Sequence, residues 1–285
     1  MQTIKGSVAV ITGAGSGIGR ALAQNLADRG AQLALADLNL ASLEETRKLL
    51  GSAVARTYAV DVSQAAAVES FARQVERDFG RASLLINNAG VALMGRFDEV
   101  SLEDMEWLVR INFWGVVYGC RFFLPLLERE PDAHIVNLSS VFGLIGPPGQ
   151  TAYAASKFAV RGFSESLREE LSLTGSIKVT SVHPAGIATP IAHSARAGQG
   201  VTPEARHDAE EYFKKVATIP PEEAARTIVK GILGNKNRVL IGRDAYGIDR
   251  VARLFPARAS SMMTRWLMKR SGAGQQFFAR ASASK

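Results

Sequence analysis

Residues 7–29 constrain this chain more than any other stretch. SVAVIT, residues 7–12, is an apolar run of strand length, and residues 20–29 carry Leu22 and Leu26 at helical spacing. TGAGSGIG, residues 12–19, joins the two. A strand that passes through a glycine turn straight into a helix lays that helix across its own sheet. The next strand must then run parallel to the first, which calls for a helix-covered parallel sheet. The turn also has a chemical consequence. Gly13, Gly17 and Gly19 permit positive φ and a close approach, and the helix N-terminus directs backbone N–H groups at whatever lies in front of it. An anion such as a pyrophosphate suits that place, and a glycine-rich turn without ligand is the plainer alternative.

The remaining chain repeats the alternation. Strand-like runs occur at residues 31–37, 53–60, 82–87, 134–138, 177–183 and 238–242. Helical spacing occupies 63–79, 101–130, 153–174, 203–216 and a segment opened by Pro221. The expected fold is α/β: a doubly wound, seven-stranded parallel sheet in a three-layer αβα sandwich, with a helical C-terminal extension. Residues 1–242 form one dinucleotide-binding and catalytic domain on this reading, and residues 243–285 a basic extension. The stretch 191–218 is polar and lacks a strand signal, so it reads as a loop–helix excursion suited to a substrate lid.

Charge separates body from tail. The chain carries 34 Lys and Arg against 27 Asp and Glu. Residues 243–285 hold nine of the cations and two of the acids, a net of +7, which leaves 25 of each sign in the first 242 residues. A neutral body gives no electrostatic support for nucleic-acid binding. A single cysteine, Cys120, excludes an intrachain disulfide and fits a reducing compartment. No signal-peptide pattern opens the chain, and the uncharged run at 111–120 is too short to span a bilayer. A cytoplasmic protein is expected. The tail contains two amphipathic segments, one with Ile248, Val251, Leu254 and Phe255, the other with Met262, Met263, Trp266 and Leu267 beside Arg265, Lys269 and Arg270. They suit packing on the body, a subunit contact, or a peripheral place on an anionic membrane.

The residues that carry chemistry sit at strand ends. Asp37 ends the second strand, eighteen residues after Gly19, where a carboxylate accepts from a ribose 2′-OH and repels a 2′-phosphate. No Lys or Arg lies between Gly13 and Gly19 or beside Asp37, so NAD is favoured over NADP. The same carboxylate is also placed to cap the helix that starts near Asn39. Tyr153 and Lys157 are i and i+4 on one helix face, and Ser140 precedes them across a Gly/Pro-rich loop. A cation one turn from a phenol favours the phenolate, which can take or give a proton at an alcohol or carbonyl oxygen. A serine hydroxyl there can stabilise the developing charge. Asn112 is a lone amide in an apolar helix that needs partners. The aromatic residues around it (Phe113, Trp114, Phe122, Phe123) suggest a helix covered on both sides, as at a subunit interface.

Taken in order, TGAGSGIG, Asp37, Asp61-Val62, NNAG (87–90), Asn112, Ser140, YAASK (153–157) and PAGIAT (184–189) resemble the short-chain dehydrogenase/reductase family over roughly residues 5–242. The resemblance implies a Rossmann sheet and catalysis by Asn112, Ser140, Tyr153 and Lys157. Asn112 would help hold a water that links Lys157 to solvent. It implies a nicotinamide cofactor held by Gly13, Ser16, Gly17, Ile18, Gly19, Asp37 and Leu38 near the glycine turn. Asp61 and Val62 would meet the adenine, and Asn88, Ala89 and Gly90 would line the cleft. Tyr153 and Lys157 would also touch the cofactor, as would Pro184, Gly186, Ile187 and Thr189. No metal is implied. The substrate is expected to be a small alcohol or carbonyl compound and the assembly a homodimer or homotetramer. Val141, Phe142, Leu144, Ile145, Pro147 and Pro148, with Val91, Leu93 and Met94, suggest a hydrophobic secondary alcohol or ketone, or alternatively core packing. A catalytically silent NAD-binding regulator and a membrane-peripheral protein of the same fold are the competing functions.

Overall fold

A computed structural model describes residues 1–175 and 177–270. Its centre is a seven-stranded, wholly parallel sheet. The strands are β1 (Val8–Thr12), β2 (Gln32–Asp37), β3 (Ala55–Ala59), β4 (Leu84–Asn87), β6 (His134–Leu138), β7 (Lys178–Pro184) and β9 (Arg238–Ile241), in the order β3-β2-β1-β4-β6-β7-β9. The chain winds outward from β1 to β3, then returns to pair β4 on the other side of β1. At that reversal the crossovers leave in opposite directions, and a crevice opens beyond the carboxyl ends of β1 and β4.

Both sheet faces are covered, which is why the strands read as continuous apolar runs. On one face Ala9, Ile11, Leu33, Leu35, Leu84 and Ile86 meet α1 (Gly17–Ala27) and α8 (Pro221–Leu233). On the other, Val10, Ala34, Leu85, Ile135 and Val179 meet α3 (Ala65–Phe79), α5 (Gly115–Leu127) and α6 (Thr151–Thr174). Helix α2 (Leu40–Leu49) lies after β2 and α7 (Pro203–Val216) in the excursion after β7. Pro203 and Pro221 each stand in a first helical turn, where the missing N–H costs nothing.

Two features depart from the sequence reading, and a third, the place of the tail, follows one of its alternatives. The expected helix over 101–130 is α4 (Leu102–Val109), a π-helical turn Arg110–Trp114 centred on Asn112, and α5. Two two-residue strands, β5 (Leu93–Met94) and β8 (Arg196–Ala197), pair in parallel and pin the excursion after β7 to the segment after β4. The C-terminal helices α9 (Arg243–Leu254) and α10 (Ala259–Arg270) pack on the body. Ala245, Ile248 and Ala259 join Val141, Leu144 and Ile145 in a third apolar cluster, with Met263 and Phe142 against it. The stripe residue Leu267 and the cations Lys269 and Arg270 have side chains outside the described residues, as does everything after 270. Among the described residues no helix is long and apolar enough to cross a membrane. Trp114 remains 43% exposed, at a surface groove lined by Leu102, Met105, Glu106, Val109 and Arg110.

Candidate active site

The carboxyl ends of five neighbouring strands carry the site. After β1, Gly13 (φ 65°) and Gly17 (φ 50°) turn the chain into α1. A Cβ on Gly19 would stand 2.0 Å from the Gly13 carbonyl oxygen, so only glycine lets the helix start this close to the turn. Ser16 occupies the N-cap without a side-chain capping bond, and the first turn of α1 holds no acid. Helix amides left uncapped by a side chain, in a first turn that holds no acid, fit a pyrophosphate. Thr12 ties the turn to β4: its hydroxyl accepts the Asn88 and Ala89 N–H groups at 3.1 Å each. The Asn88 amide donates to the Thr12 and Gly13 carbonyls. Asn88 thus braces the glycine turn with its side chain, and Asn87 points into the core toward Asn137 and Cys120.

Asp37 receives the Gly15 N–H on Oδ2 at 3.0 Å and the Asn39 N–H on Oδ1 at 3.1 Å. The helix cap foreseen for it falls to Asn39, whose side chain accepts from Ser42. Leu38 beside it is exposed and Asp61 holds the Ser63 N–H, with Val62 buried behind Gly115. Arg20 is the nearby cation. Its guanidinium is engaged by the Gly15 and Ser42 carbonyls, Thr46 and Glu45. Pro184 ends β7, Gly186 packs against Val216 and Ala217, and Thr189 reaches the glycine turn, where a Cβ on Gly17 would stand 2.9 Å from Thr189 Cγ2. Ile18 and Ile187 pack in the core cluster beneath.

The second group of residues gathers around Tyr153. The Ser140 hydroxyl accepts the Phe142 N–H at 3.1 Å and lies near enough to the Tyr153 phenol to lower its pKa. Phe142 meets the Tyr153 ring edge-on, with centroids 6.2 Å apart. Lys157 Nζ lies 5.6 Å from the Tyr153 ring centroid and donates to the Leu138 carbonyl at 3.0 Å. Ser139 turns the other way and donates to the Lys157 carbonyl, anchoring β6 to α6. Asn112 Oδ1 accepts the Val91 N–H at 2.8 Å, and its Nδ2 donates to the Val91 carbonyl and to Ser156. A Cβ on Gly90 would stand 3.1 Å from Asn112 Oδ1 and 3.5 Å from Lys157 Nζ, so Gly90, Asn112 and Lys157 meet at one point. Ser140, Tyr153, Lys157, Asn112 and Gly90 therefore converge, although they come from four segments of the chain.

Electrostatics here corrects the sequence reading. Burial pushes the Tyr153 phenol up to about 12, and the Ser140 hydroxyl acts in the opposite sense. Burial brings the Lys157 ammonium down to about 8. Lys157 is not among the groups that shift the phenol; burial disfavours the charged form of both groups. Spacing at i and i+4 reports proximity and says nothing of desolvation.

These strand ends, glycines and side chains match the short chain dehydrogenase pattern over residues 7–200 of the 285. The chain belongs to the short-chain dehydrogenase/reductase family. A Mycobacterium tuberculosis protein carrying the oxidoreductase name SadH is 45% identical over 259 residues, covering 89% of this chain and 92% of that one. A short-chain dehydrogenase/reductase from Burkholderia phymatum, solved in complex with NAD, superposes with a TM-score of 0.81 at 32% identity over 89% of this chain and 95% of that one. An alcohol dehydrogenase from the archaeon Thermococcus sibiricus, complexed with 5-hydroxy-NADP, superposes at 0.70 with 25% identity over 83% and 96%. As a short-chain dehydrogenase/reductase the protein is an oxidoreductase with a nicotinamide cofactor. Sequence reasoning passed over Thr12, Ser156 and the buried His183, which bonds the Ser140 carbonyl. Thr12 and Ser156 lie inside recognised motifs. His183 offers only its place before a proline at a strand end.

Proposed function

We propose that the protein transfers a hydride between NAD(H) and a hydrophobic secondary alcohol or ketone, with Tyr153 as the acid and base. The observation that carries this reading is the convergence of Tyr153, Lys157, Asn112 and Gly90 at one point, with the Lys157 ammonium 5.6 Å from the Tyr153 ring centroid and the Ser140 hydroxyl near enough to the phenol to lower its pKa. A substrate oxygen between Ser140 and Tyr153 would accept one hydrogen bond and exchange one proton, as carbinol–carbonyl interconversion requires. The nicotinamide, when bound, supplies or accepts the hydride. Lys157 would hold the cofactor's ribose and bias the phenol toward ionisation once the substrate closes the site. The Asn112 clasp on Val91 and Ser156 sets the wall behind Lys157.

NAD rather than NADP is favoured by two features. The Asp37 carboxylate stands at the end of β2 beside the glycine turn, and the guanidinium of Arg20 near it is already engaged. A hydrophobic substrate is supported by Phe142 against the Tyr153 ring and by the apolar cluster of α9 and α10 behind it. The assembly would be a homodimer or homotetramer, which its sedimenting mass tests.

A spectrophotometric screen of alcohols graded by size and polarity, with both cofactors, tests the reading. Higher kcat/KM with NAD and with bulky apolar alcohols is expected. Preference for NADP would overturn the cofactor assignment, and turnover confined to small charged hydroxy acids would overturn the substrate class. Tyr153→Phe is expected to lower kcat by about 10²–10⁴-fold while NADH binding persists. Wild-type turnover by that variant would remove the acid–base assignment.

A further inference from the structure

The register between β6 and β7 ends just where the chemistry begins. Leu138 pairs with Val182, and the Ser139 N–H still donates to the Val182 carbonyl at 2.8 Å. The next rung would need an N–H from residue 184, which is proline and has none. The backbone ladder therefore stops one residue short of Ser140. A side chain replaces it. His183 Nδ1 lies 2.9 Å from the Ser140 carbonyl oxygen, and the ring is fully buried. A carbonyl can only accept, so Nδ1 must carry the proton. Nε2, 3.3 Å from Ser181 Oγ, is then the acceptor of that hydroxyl. The Ser140 carbonyl also takes the Gly143 N–H at 2.9 Å, so one of its bonds closes the local turn and the other crosses to β7.

We infer that His183 is a positioning residue for the reaction: its Nδ1–H fixes the Ser140 carbonyl and, through it, the aim of the Ser140 hydroxyl at Tyr153. The inference rests on the acid–base reading given above. Ser140 is in extended backbone (φ −165°, ψ 168°). Its carbonyl and side chain share one rigid residue, so a rotation of the peptide after it displaces the hydroxyl that the phenol meets. The bond from His183 ties Ser140 to the sheet, the stiffest part of the molecule, from outside the serine's own loop. Burial lowers the imidazole to about 4 and keeps it neutral; the bond to the Ser140 carbonyl and Glu165 act in the opposite sense, and Arg238 and Arg161 act with burial. The donor state thus persists throughout the neutral range.

Two substitutions and one spectrum test this. His183→Leu removes the donor, and His183→Asn keeps an amide N–H close to the position of Nδ1. For His183→Leu, kcat for alcohol oxidation should fall by about tenfold or more, a consequence of sub-ångström misplacement. NADH affinity should be unchanged. The ascending limb of its pH profile for alcohol oxidation, where the phenol loses its proton, should move upward, because the Ser140 hydroxyl lowers the phenol's pKa. His183→Asn should recover most of kcat and the wild-type limb. A merely structural histidine would change thermal stability in both variants and leave the limb in place. In the wild-type protein, ¹⁵N imidazole shifts should show the Nδ1–H tautomer at His183. If His183→Leu does not fold, that spectrum and His183→Asn decide. An Nε2–H tautomer, a His183→Leu enzyme with wild-type kcat and pH profile, or a His183→Asn enzyme as slow as Tyr153→Phe would overturn the inference. An active Tyr153→Phe enzyme would instead overturn the reading beneath it.

Discussion

Asp37 shows how one side chain serves both the fold and the cofactor. Its Oδ2 accepts the Gly15 N–H and its Oδ1 the Asn39 N–H, so the acid that would receive a ribose also shapes the turn that would receive the pyrophosphate. A Cβ on Gly15 would stand 2.9 Å from that same oxygen. Asp37→Ala is therefore expected to act twice. It should lower kcat/KM with NAD by about 10- to 150-fold, the cost of one charge-assisted hydrogen bond of about 1.5–3 kcal/mol. It should also shrink the preference for NAD over NADP by removing the charge that repels a 2′-phosphate. Steady-state kinetics with both cofactors measures each effect. An unchanged ratio of the two specificities would mean that Asp37 only braces the turn.

At the scale of elements, the contact between the Ser140 turn and α6 sets the geometry of the acid–base pair. Gly143 closes the 3₁₀ turn Val141–Gly143 against α6 so tightly that a Cβ there would stand 2.3 Å from Ser139 Oγ and 2.7 Å from the Lys157 carbonyl oxygen. Neither neighbour can retreat, since the two are bonded to each other. Gly143→Ala should push the turn away from α6, destabilise the protein by about 1–3 kcal/mol and reduce kcat far more than its loss of folded fraction explains. Urea unfolding together with kcat per folded molecule checks both parts. The π-helical turn at Asn112 belongs to this scale too. The apolar pattern of 101–130 reads as one helix, and only the clasp on Val91 and Ser156 reveals the interruption. The excursion after β7 has a similar anchor: Arg196 stacks on Trp107 at 3.7 Å and reaches Asp104 at 3.2 Å.

For the whole molecule, buried histidines couple stability to acid. His183 is lowered to about 4 and His134 to about 3, each chiefly by burial. A base whose folded pKa lies below its unfolded value binds fewer protons when folded. Its contribution is complete above about 6.5 and is lost as pH falls through the folded pKa. Stability should hold between pH 7 and 8 and decline steeply from about pH 6.5 toward 3. For His183 the loss is on the order of 3 kcal/mol, at about 1.4 kcal/mol per pKa unit. Urea midpoints measured from pH 7 to pH 4 should show the decline, with a shallower slope in His183→Asn. A flat profile would mean that water reaches the ring.

The alternation of strands and helices, the family membership and the identity of the residues at the strand ends were legible in the sequence. A parallel sheet buried on both faces demands apolar runs such as VAVIT and LLIN, and its site must be built where those runs end. Local signals of that kind survive in one dimension. What needed the third dimension depends on contacts between segments far apart in the chain. Two-residue strands such as Leu93–Met94 and Arg196–Ala197 have no periodicity to detect. The two C-terminal helices were visible as amphipathic segments, but their partner was not: they settle on the loop that follows Ser140. The feature that opened the reading, the glycine turn, proved to be one half of a device. Asp37, Thr12 and Asn88 hold it in place from β2, β1 and β4. Tyr153, Lys157 and Ser140 could be picked out by type and spacing. Their protonation and their aim were settled by burial and by a histidine on the neighbouring strand, because desolvation and long-range hydrogen bonds exist only once the chain has folded.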